Sequence, residues 1–455
     1  MLKPLPTQLS GALFLAGRKT ALLADEPRVG KTGAAIIAAD YVFARTILVV
    51  TTASGRSVWR RGFDTWSTFG RRLHVMNRKV KMPANSEVVV VAWGDIAEPA
   101  IRVQLLSRRW DLVISDEDHW AKSFEASRTK AFYGEMVEGG GRIMVSTSIV
   151  GKADRVWCLT GTPLPNSPLD AYPRLRVLAV DRLAADPARG WPEVIGFEAF
   201  RTRYCEGHPM KIGKGSWARW VFVVKKGRNE EELQARMADF MLLRTQKDVG
   251  IRPPIYETFP LIVGDANRRA TEAGVDTALI LAAAESGSNE ALDMGLGPKR
   301  RLTGEIKARA VIEAVKEEFD GGLDKIVLAF WHKDVGKILE EGLRQFGVVS
   351  LDGSTSADNR LRAEIEFRDN PKCRVFLGQI VAAGEAIDLS AASELLFVES
   401  SFVPKDMRQM SDRISNITQT RNTRVRVAAL EGTVDDALQA VLLRKWSSIR
   451  KVLTQ

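Results

Sequence analysis

The sequence predicts an α/β protein of two parallel-sheet lobes with a helical insertion between them. Three observations predict it. Short runs of Val, Ile and Leu alternate with helical patterns through the first 165 residues. The alternation restarts after about residue 300. The stretch between is poorer in strand-like runs and richer in Pro, Trp and Arg.

In the first lobe, Thr20–Ala24, Thr46–Thr51, Glu87–Ala92, Asp111–Ser115 and Val156–Thr160 read as buried strands. They are short, apolar and bounded by Gly, Pro or charged residues. In the middle, Glu230–Met241 and Ala266–Glu285 read as helices, and the glycine-bearing stretch Ser286–Pro298 reads as a linker. In the second lobe, Glu305–Phe319, Asp334–Phe346 and Ser356–Arg368 read as helices. Lys325–Phe330, Val348–Leu351, Arg374–Gly378 and Glu394–Val398 read as strands, and Val434–Leu453 as a helical tail. The expected division is 1–175 for the first lobe, 176–300 for the insertion and linker, and 301–455 for the second lobe.

Composition narrows the class. Hydrophobic residues make up 45% and charged residues 27% of the 455, which excludes disorder throughout. No run approaches ~18 apolar residues, so no membrane span is expected. Gln8, Ser10 and Gly11 interrupt what a signal peptide would need as its apolar core. Cys158, Cys205 and Cys373 lie too far apart for a zinc pair and are too few for a disulfide framework. Reducing cytoplasm is the expected setting. A net charge of +10 favours a polyanionic partner such as nucleic acid, with solubility alone as the plainer reading.

Two segments carry chemistry. Ala24-Asp25-Glu26-Pro27-Arg28-Val29-Gly30-Lys31-Thr32 lies between a strand and a helical run. That is the setting of a phosphate-binding loop, in which backbone N–H groups and the helix dipole meet phosphate. Lys31 would reach the outer phosphates, and Thr32 would ligate Mg²⁺. The plainer reading is an ordinary helix start with an incidental lysine. In Asp111–His119 a hydrophobic strand ends in Asp116 and Glu117. Asp116 suits a Mg²⁺ shell, Glu117 suits a base for the attacking water, and His119 suits a γ-phosphate sensor or a link to the next strand. A solvated acidic turn is the alternative.

These residues, in this order, resemble superfamily 2 helicases, and among them the Swi/Snf-type DNA translocases. The likeness is to the annealing-helicase (HARP-like) branch, in a compact form of the sort phages carry. Leu5-Pro6-Thr7-Gln8 with Gly11 resembles the adenine-reading segment, and Ala24–Thr32 motif I. Leu48–Phe63 with Trp66 resembles motif Ia, Asp116–His119 the DExH motif II, and Leu159–Asn166 motif III. Phe240–Val249 is similar to the segment that closes the family's first half. Lys325–Trp331 resembles motif IV, Leu351–Thr355 with Arg360 the DGST segment, and Ala382–Leu389 motif V. Gln409–Arg413, led by Phe402-Val403-Pro404, resembles motif VI.

The resemblance implies two RecA-like lobes across an ATP cleft. Gln8, Gly30, Lys31, Thr32 and His119 would bind ATP, and Thr32 and Asp116 would hold Mg²⁺. Lys31, Asp116, Glu117, Gln409 and Arg413 would carry hydrolysis. It implies a partner that is DNA, double-stranded or branched, gripped without reading sequence. Three departures bear on this. Arg28 stands where the family has glycine, so the loop must avoid a positive φ there or accept strain. Asn416 stands at the family's second motif VI arginine, and Thr418 where a glycine follows.

Two basic stretches are candidate nucleic-acid contacts. One runs Trp59–Lys81, with Arg60, Arg61, Arg71, Arg72, Arg78 and Lys79, its Trp59 and Trp66 read as core. The other runs Arg201–Arg228, with Tyr204, Trp217, Trp220 and Phe222 interleaved. Two rivals stay open: an RNA helicase, and an ATP-responsive nucleic-acid-binding protein with weak or no hydrolysis.

Overall fold

The computed structural model describes residues 3–76, 78, 81–136, 143–161, 163–164, 167–212, 219–265, 290–384, 387–401, 403–416, 419–431, 433, 435–436 and 438–439. The chain forms two compact units, Met1–Thr245 and Gln246–Gln455.

The first unit contains β1 (Thr20–Leu23), β2 (Ile47–Thr51), β3 (Leu73–Val75), β4 (Val88–Ala92), β5 (Leu112–Asp116), β6 (Glu135–Met136), β7 (Ile143–Met144), β8 (Val156–Leu159), β9 (Cys205–Ile212), β10 (Arg219–Gly227) and β11 (Met241–Leu242). Seven of them form one sheet in the order β11-β1-β8-β5-β2-β4-β3, with every pairing parallel. β2 and β4 are buried at all five positions, because both faces of a parallel sheet are covered. Three helices, α1 (Pro6–Ala16), α2 (Lys31–Tyr41) and α3 (Gly55–Trp66), lay Leu15, Ile36, Trp59 and Phe63 on one face, against Leu23, Val49, Val90 and Ile114. The other face packs Leu22, Val50, Val91 and Val113 beneath Trp93, Trp110, Phe132, Tyr172 and Phe200.

Residues 176–245 pack into this first unit. Leu178, Leu183, Phe200, Leu233, Met237 and Phe240 join its core, and β11 pairs with β1. The helix expected over Glu230–Met241 stops at Met237, and Met241 and Leu242 are strand instead. Among the described residues β9 and β10 pair only with each other, antiparallel.

The second unit has its own parallel sheet, β12-β17-β16-β13-β15-β14. Its strands are β12 (Ile255–Leu261), β13 (Ile326–Phe330), β14 (Val348–Leu351), β15 (Val375–Gln379), β16 (Glu394–Phe397) and β17 (Arg424–Leu430). Four match the expected runs; β12 and β17 were not expected. β12 holds Pro260 and is mostly exposed, and a proline strand is tolerated at a sheet edge. Residues 290–298, read as linker, open the helix Glu290–Asp320. Ala291, Leu292, Met294 and Leu296 are strong helix formers, and buried Val311, Val315 and Phe319 anchor the rest of that helix. The helix expected over 266–285 and most of the expected tail helix lie outside the described residues.

A buried polar network ties the late part of the first unit together. Glu232 accepts from Arg203 Nε at 2.9 Å, Tyr204 Oη at 2.8 Å and Arg236 Nε at 3.0 Å. Arg236 also donates to the carbonyls of Arg182, Ala184 and Pro192. Burial by itself would raise the Glu232 carboxyl, but these donors hold it below its ordinary value. A carboxyl depressed in the folded state adds stability above its ordinary pKa and loses it as pH falls through the folded value. Glu232→Gln should therefore melt earlier at pH 7 and lose less on acidification towards pH 3 than the parent. Arg236→Met should cost about 3 kcal/mol, since it strands a buried carboxylate and three carbonyls. Thermal melts across that pH range measure both.

Candidate active site

All strands of the first sheet run the same way, so their C-terminal ends share one edge. Open α/β sheets bind ligands at that edge. The segment Ala24–Thr32 leaves β1 there, and Asp116 closes β5 there.

The loop keeps its shape by accepting left-handed backbone at two places. Gly30 has φ 102°, and a Cβ on it would lie 2.9 Å from Gln8 Cγ. Only glycine suits that position. Arg28 has φ 70°, so the loop takes the left-handed conformation and bears its cost. Lys31 Nζ folds back onto the carbonyls of Asp25 at 2.5 Å and Glu26 at 3.0 Å. A Cβ on Gly161, after β8, would meet Pro27 Cδ at 3.0 Å, so the motif III segment packs on the loop. Thr32 turns its methyl toward Gly62 of α3. Gln8 is buried against Gly30 and Gly33, and its Oε1 accepts from Leu5 N at 2.9 Å.

Asp116 is fixed by two donors on one oxygen: Thr51 Oγ1 at 2.8 Å and Trp59 Nε1 at 2.8 Å on Oδ2. Trp93 Nε1 binds its carbonyl at 2.7 Å. Burial and the neighbouring Glu117 push the Asp116 carboxyl up, while Trp59, Thr51 and the Lys31 charge oppose them. The two motifs share one edge of the sheet, Lys31 after β1 and Asp116 at the end of β5. Glu117 has φ 51°, the second left-handed non-glycine residue here. Such conformations persist where the surroundings over-determine them, and they gather at functional sites. His119 Nδ1 lies 3.2 Å from Glu117 Oε2 and 3.0 Å from Thr160 Oγ1. The imidazole thus links the base candidate to the end of β8.

Sequence reasoning missed several supporting residues. Asp118 is buried and accepts from Ser115 Oγ at 2.8 Å, Tyr133 Oη at 2.7 Å and Arg174 Nε at 2.6 Å. Arg174 also donates to Pro163 O at 3.3 Å, tying motif II to motif III. Nothing in the sequence marks Arg174. Thr51 and Trp59 lie inside motif Ia, whose apolar character hides their role as donors.

In the second unit, Gln409 lies on the helix Pro404–Ser411, and Arg413 follows it. Arg413 Nε donates to Gln409 O at 3.2 Å, and Arg413 O accepts from Leu389 N at 2.9 Å. A Cβ on Gly384 would lie 3.6 Å from Gln409 Cβ, so motifs V and VI are neighbours. Asn416 donates to Ser390 Oγ at 2.6 Å and to Asp388 Oδ2 at 3.4 Å. It braces motif V. Lys325, at the start of motif IV, donates to the carbonyls of Phe367, Asn370 and Cys373, a structural task.

Much of the first basic stretch serves the fold. Arg71 pairs with buried Asp40 at 2.7 Å, Arg78 with Asp95 at 2.9 Å, and Trp59 is core. The second stretch spans the β9–β10 hairpin. There Arg201 stacks over Phe222, and Arg203 and Arg228 pair with Glu232 and Glu206. Lys79, Lys214, Trp217, Thr162, Asn166 and Thr418 lie outside the described residues.

Comparison with known proteins gives the family of the chain. Residues 8–258 match the SNF2-related domain, and residues 307–418 match the helicase conserved C-terminal domain. The human DNA annealing helicase and endonuclease ZRANB3 is 26% identical over 97% of this chain and 40% of its own length. The SWI/SNF-related matrix-associated actin-dependent regulator of chromatin subfamily A-like protein 1 of Xenopus tropicalis is 26% identical over 97% of this chain and 44% of its own. The chain thus spans less than half the length of these two relatives. The Sulfolobus solfataricus SWI2/SNF2 ATPase core in complex with dsDNA aligns over 99% of this chain and 93% of that one, at 19% identity and a TM-score of 0.45. With a phosphate loop and an acidic box on one parallel-sheet edge, and a family match across more than half its residues, the chain belongs to the SNF2-related family.

Proposed function

We propose that this chain is an ATP-dependent DNA translocase that couples hydrolysis to movement on duplex or branched DNA, without reading sequence. The observation that carries the proposal is the joint placement of Lys31 and Asp116, with Glu117 beside them in a left-handed conformation. The residues suit ATP and Mg²⁺. Gly30 and the start of α2 offer backbone N–H groups to phosphate, Lys31 offers charge, and Gln8 offers a carboxamide to the base. Thr32 and Asp116 offer hard oxygens to Mg²⁺, which would neutralise charge on the phosphates. Glu117, a DExH-box carboxylate, takes the proton of the attacking water. Gln409 and Arg413 are assigned to the hydrolysis step, and His119 to holding Glu117. The charge of +10 supports a phosphate-backbone partner. Strand annealing, a phage-type origin and a bacterial cytoplasmic setting extend the same proposal. Annealing draws on the names of the relatives, the cytoplasmic setting on the three scattered cysteines, and the phage-type origin on the sequence resemblance alone.

One observation favours a second reading, of ATP-responsive binding with little turnover. Asn416 spends its carboxamide on Ser390 and Asp388, where the family pattern has an arginine. Steady-state ATPase rates with saturating duplex, forked and single-stranded DNA separate the two readings.

Lys31→Ala should weaken ATP binding and abolish turnover. Glu117→Gln should keep ATP binding and lose ~10²-fold or more in rate. Near-parental turnover in either variant removes the site assignment. Arg413→Ala should cost ~10³-fold in hydrolysis with ATP affinity largely kept. Asn416→Arg should fail to raise the rate and should lower the melting temperature, because it breaks the brace on motif V. DNA affinity should fall steeply with salt, by a log–log slope of about −0.9 per neutralised phosphate, and equally for unrelated duplexes. A flat salt response counts against the translocase.

A further inference from the structure

Arg244 lies in the Phe240–Val249 segment, to which the sequence alone assigns no role. It follows the two-residue strand β11 and lies 219 residues from Asp25 in sequence. Its guanidinium uses all three nitrogens. Nε donates to Asp25 Oδ1 at 2.9 Å and Nη2 to Asp25 Oδ2. Nη1 donates to Thr7 O and to Ser10 Oγ, the latter at 2.7 Å. Asp25 has no exposed surface, and the Arg244 side chain is 13% exposed. The backbone joins in: Glu26 N donates to Arg244 O at 2.9 Å, and Ala24 N to Leu242 O at 2.7 Å. Gly11 of α1 leaves room for the guanidinium, since a Cβ there would lie 2.7 Å from Nη2.

One residue therefore grips the phosphate loop at its first carboxylate and α1 at Thr7. The next residue is Gln8, which leans on Gly30 and Gly33 of the same loop. We propose that Arg244 is a positioning residue for nucleotide selection. It holds α1 at a fixed height over the loop, so that the Gln8 carboxamide meets the base while the loop holds the phosphates. This rests on the assignment of Gln8 to the base made above. A carboxamide presents a donor and an acceptor side by side. These fit the N7 and 6-amino group of adenine, whereas guanine sets its 6-oxo against the acceptor. Gln8 Oε1 accepts from Leu5 N, and a carbonyl oxygen has a second lone pair for the base. Arginine suits the task because its planar fork binds a carboxylate with two nitrogens and still offers a third; a lysine is a single point charge.

The test compares the full chain with Gln8→Ala, Arg244→Lys, their double variant, and Gly11→Ala, which displaces the guanidinium without removing it. The readout is kcat and KM for ATP and for GTP at saturating duplex DNA, with thermal melts alongside. Gln8→Ala should reduce the ATP-over-GTP preference in kcat/KM. Arg244→Lys should reduce it in the same direction, by about tenfold, mostly through the KM for ATP. The double variant should select no worse than Gln8→Ala, because both act through one carboxamide. Gly11→Ala should shift preference the same way, and it supplies the answer if Arg244→Lys fails to fold. If Gln8→Ala keeps the parental preference, the base assignment of Gln8 is wrong and this inference falls with it. If Gln8→Ala loses preference while Arg244→Lys and Gly11→Ala keep it, the inference alone is overturned. A lower melting temperature with unchanged preference assigns Arg244 a purely structural role, and overturns it too.

Discussion

A carboxylate that must sit half-buried at a strand end needs donors to hold it, and Asp116 takes them from two other elements. Thr51 at the end of β2 and Trp59 on α3 both donate to Oδ2. This fixes where β5 ends relative to β2 and how α3 lies across the sheet. Glu117 then has one direction in which to leave the strand, through a left-handed residue braced by His119. His119 in turn meets Thr160 after β8. Loss of either donor would leave Asp116 desolvated and underpaired, a cost of ~1–3 kcal/mol, and would release the geometry of everything beyond it.

Positive charge in this chain divides into two uses. Arg71, Arg174, Arg236, Arg244 and Arg426 are largely buried and engage Asp40, Asp118, Glu232, Asp25 and Glu318. Each binds a carboxylate that would be costly to bury alone. Each such pair is neutral and leaves the net charge of +10 unchanged, but the density of Arg and Lys along the sequence overstates how many cations reach the surface and does not by itself draw a nucleic-acid footprint. The pairing partners, which the fold brings together over long separations, decide which cations reach solvent.

The parallel strands of the first sheet were legible because buried strands read as continuous apolar runs, as in Val88–Ala92. The segments Ala24–Thr32 and Asp111–His119 stood out in the sequence because the patterns that mark them are local. What failed to show was edge structure, together with the inner strand Arg424–Leu430, whose two arginines break its apolar run. Met241–Leu242 is too short to carry a period, and Ile255–Leu261 is half polar with a proline. Gly287, Gly295 and Gly297 read as a break, yet the helix runs from Glu290, since packing further along sets it. Arg174 left no trace in the pattern, and Arg244 showed only as part of the Phe240–Val249 segment, because their roles lie in partners 56 and 219 residues away. Asn416 was visible as a departure, but its bond to Ser390 was not.

The late position of β11 and Arg244 has a consequence for how the chain acquires its structure during synthesis. The loop Ala24–Thr32 leaves the ribosome well before its clamp and the outer strand of its sheet, which come about 220 residues later. Until then β1 has an open edge on one side, and Asp25 must stay hydrated or be shielded. Contacts of such separation close slowly, because loop entropy is lost before any bond forms. A fragment cut before Met241 would keep both nucleotide motifs yet expose the side of β1 that β11 covers, an invitation to pair with another chain.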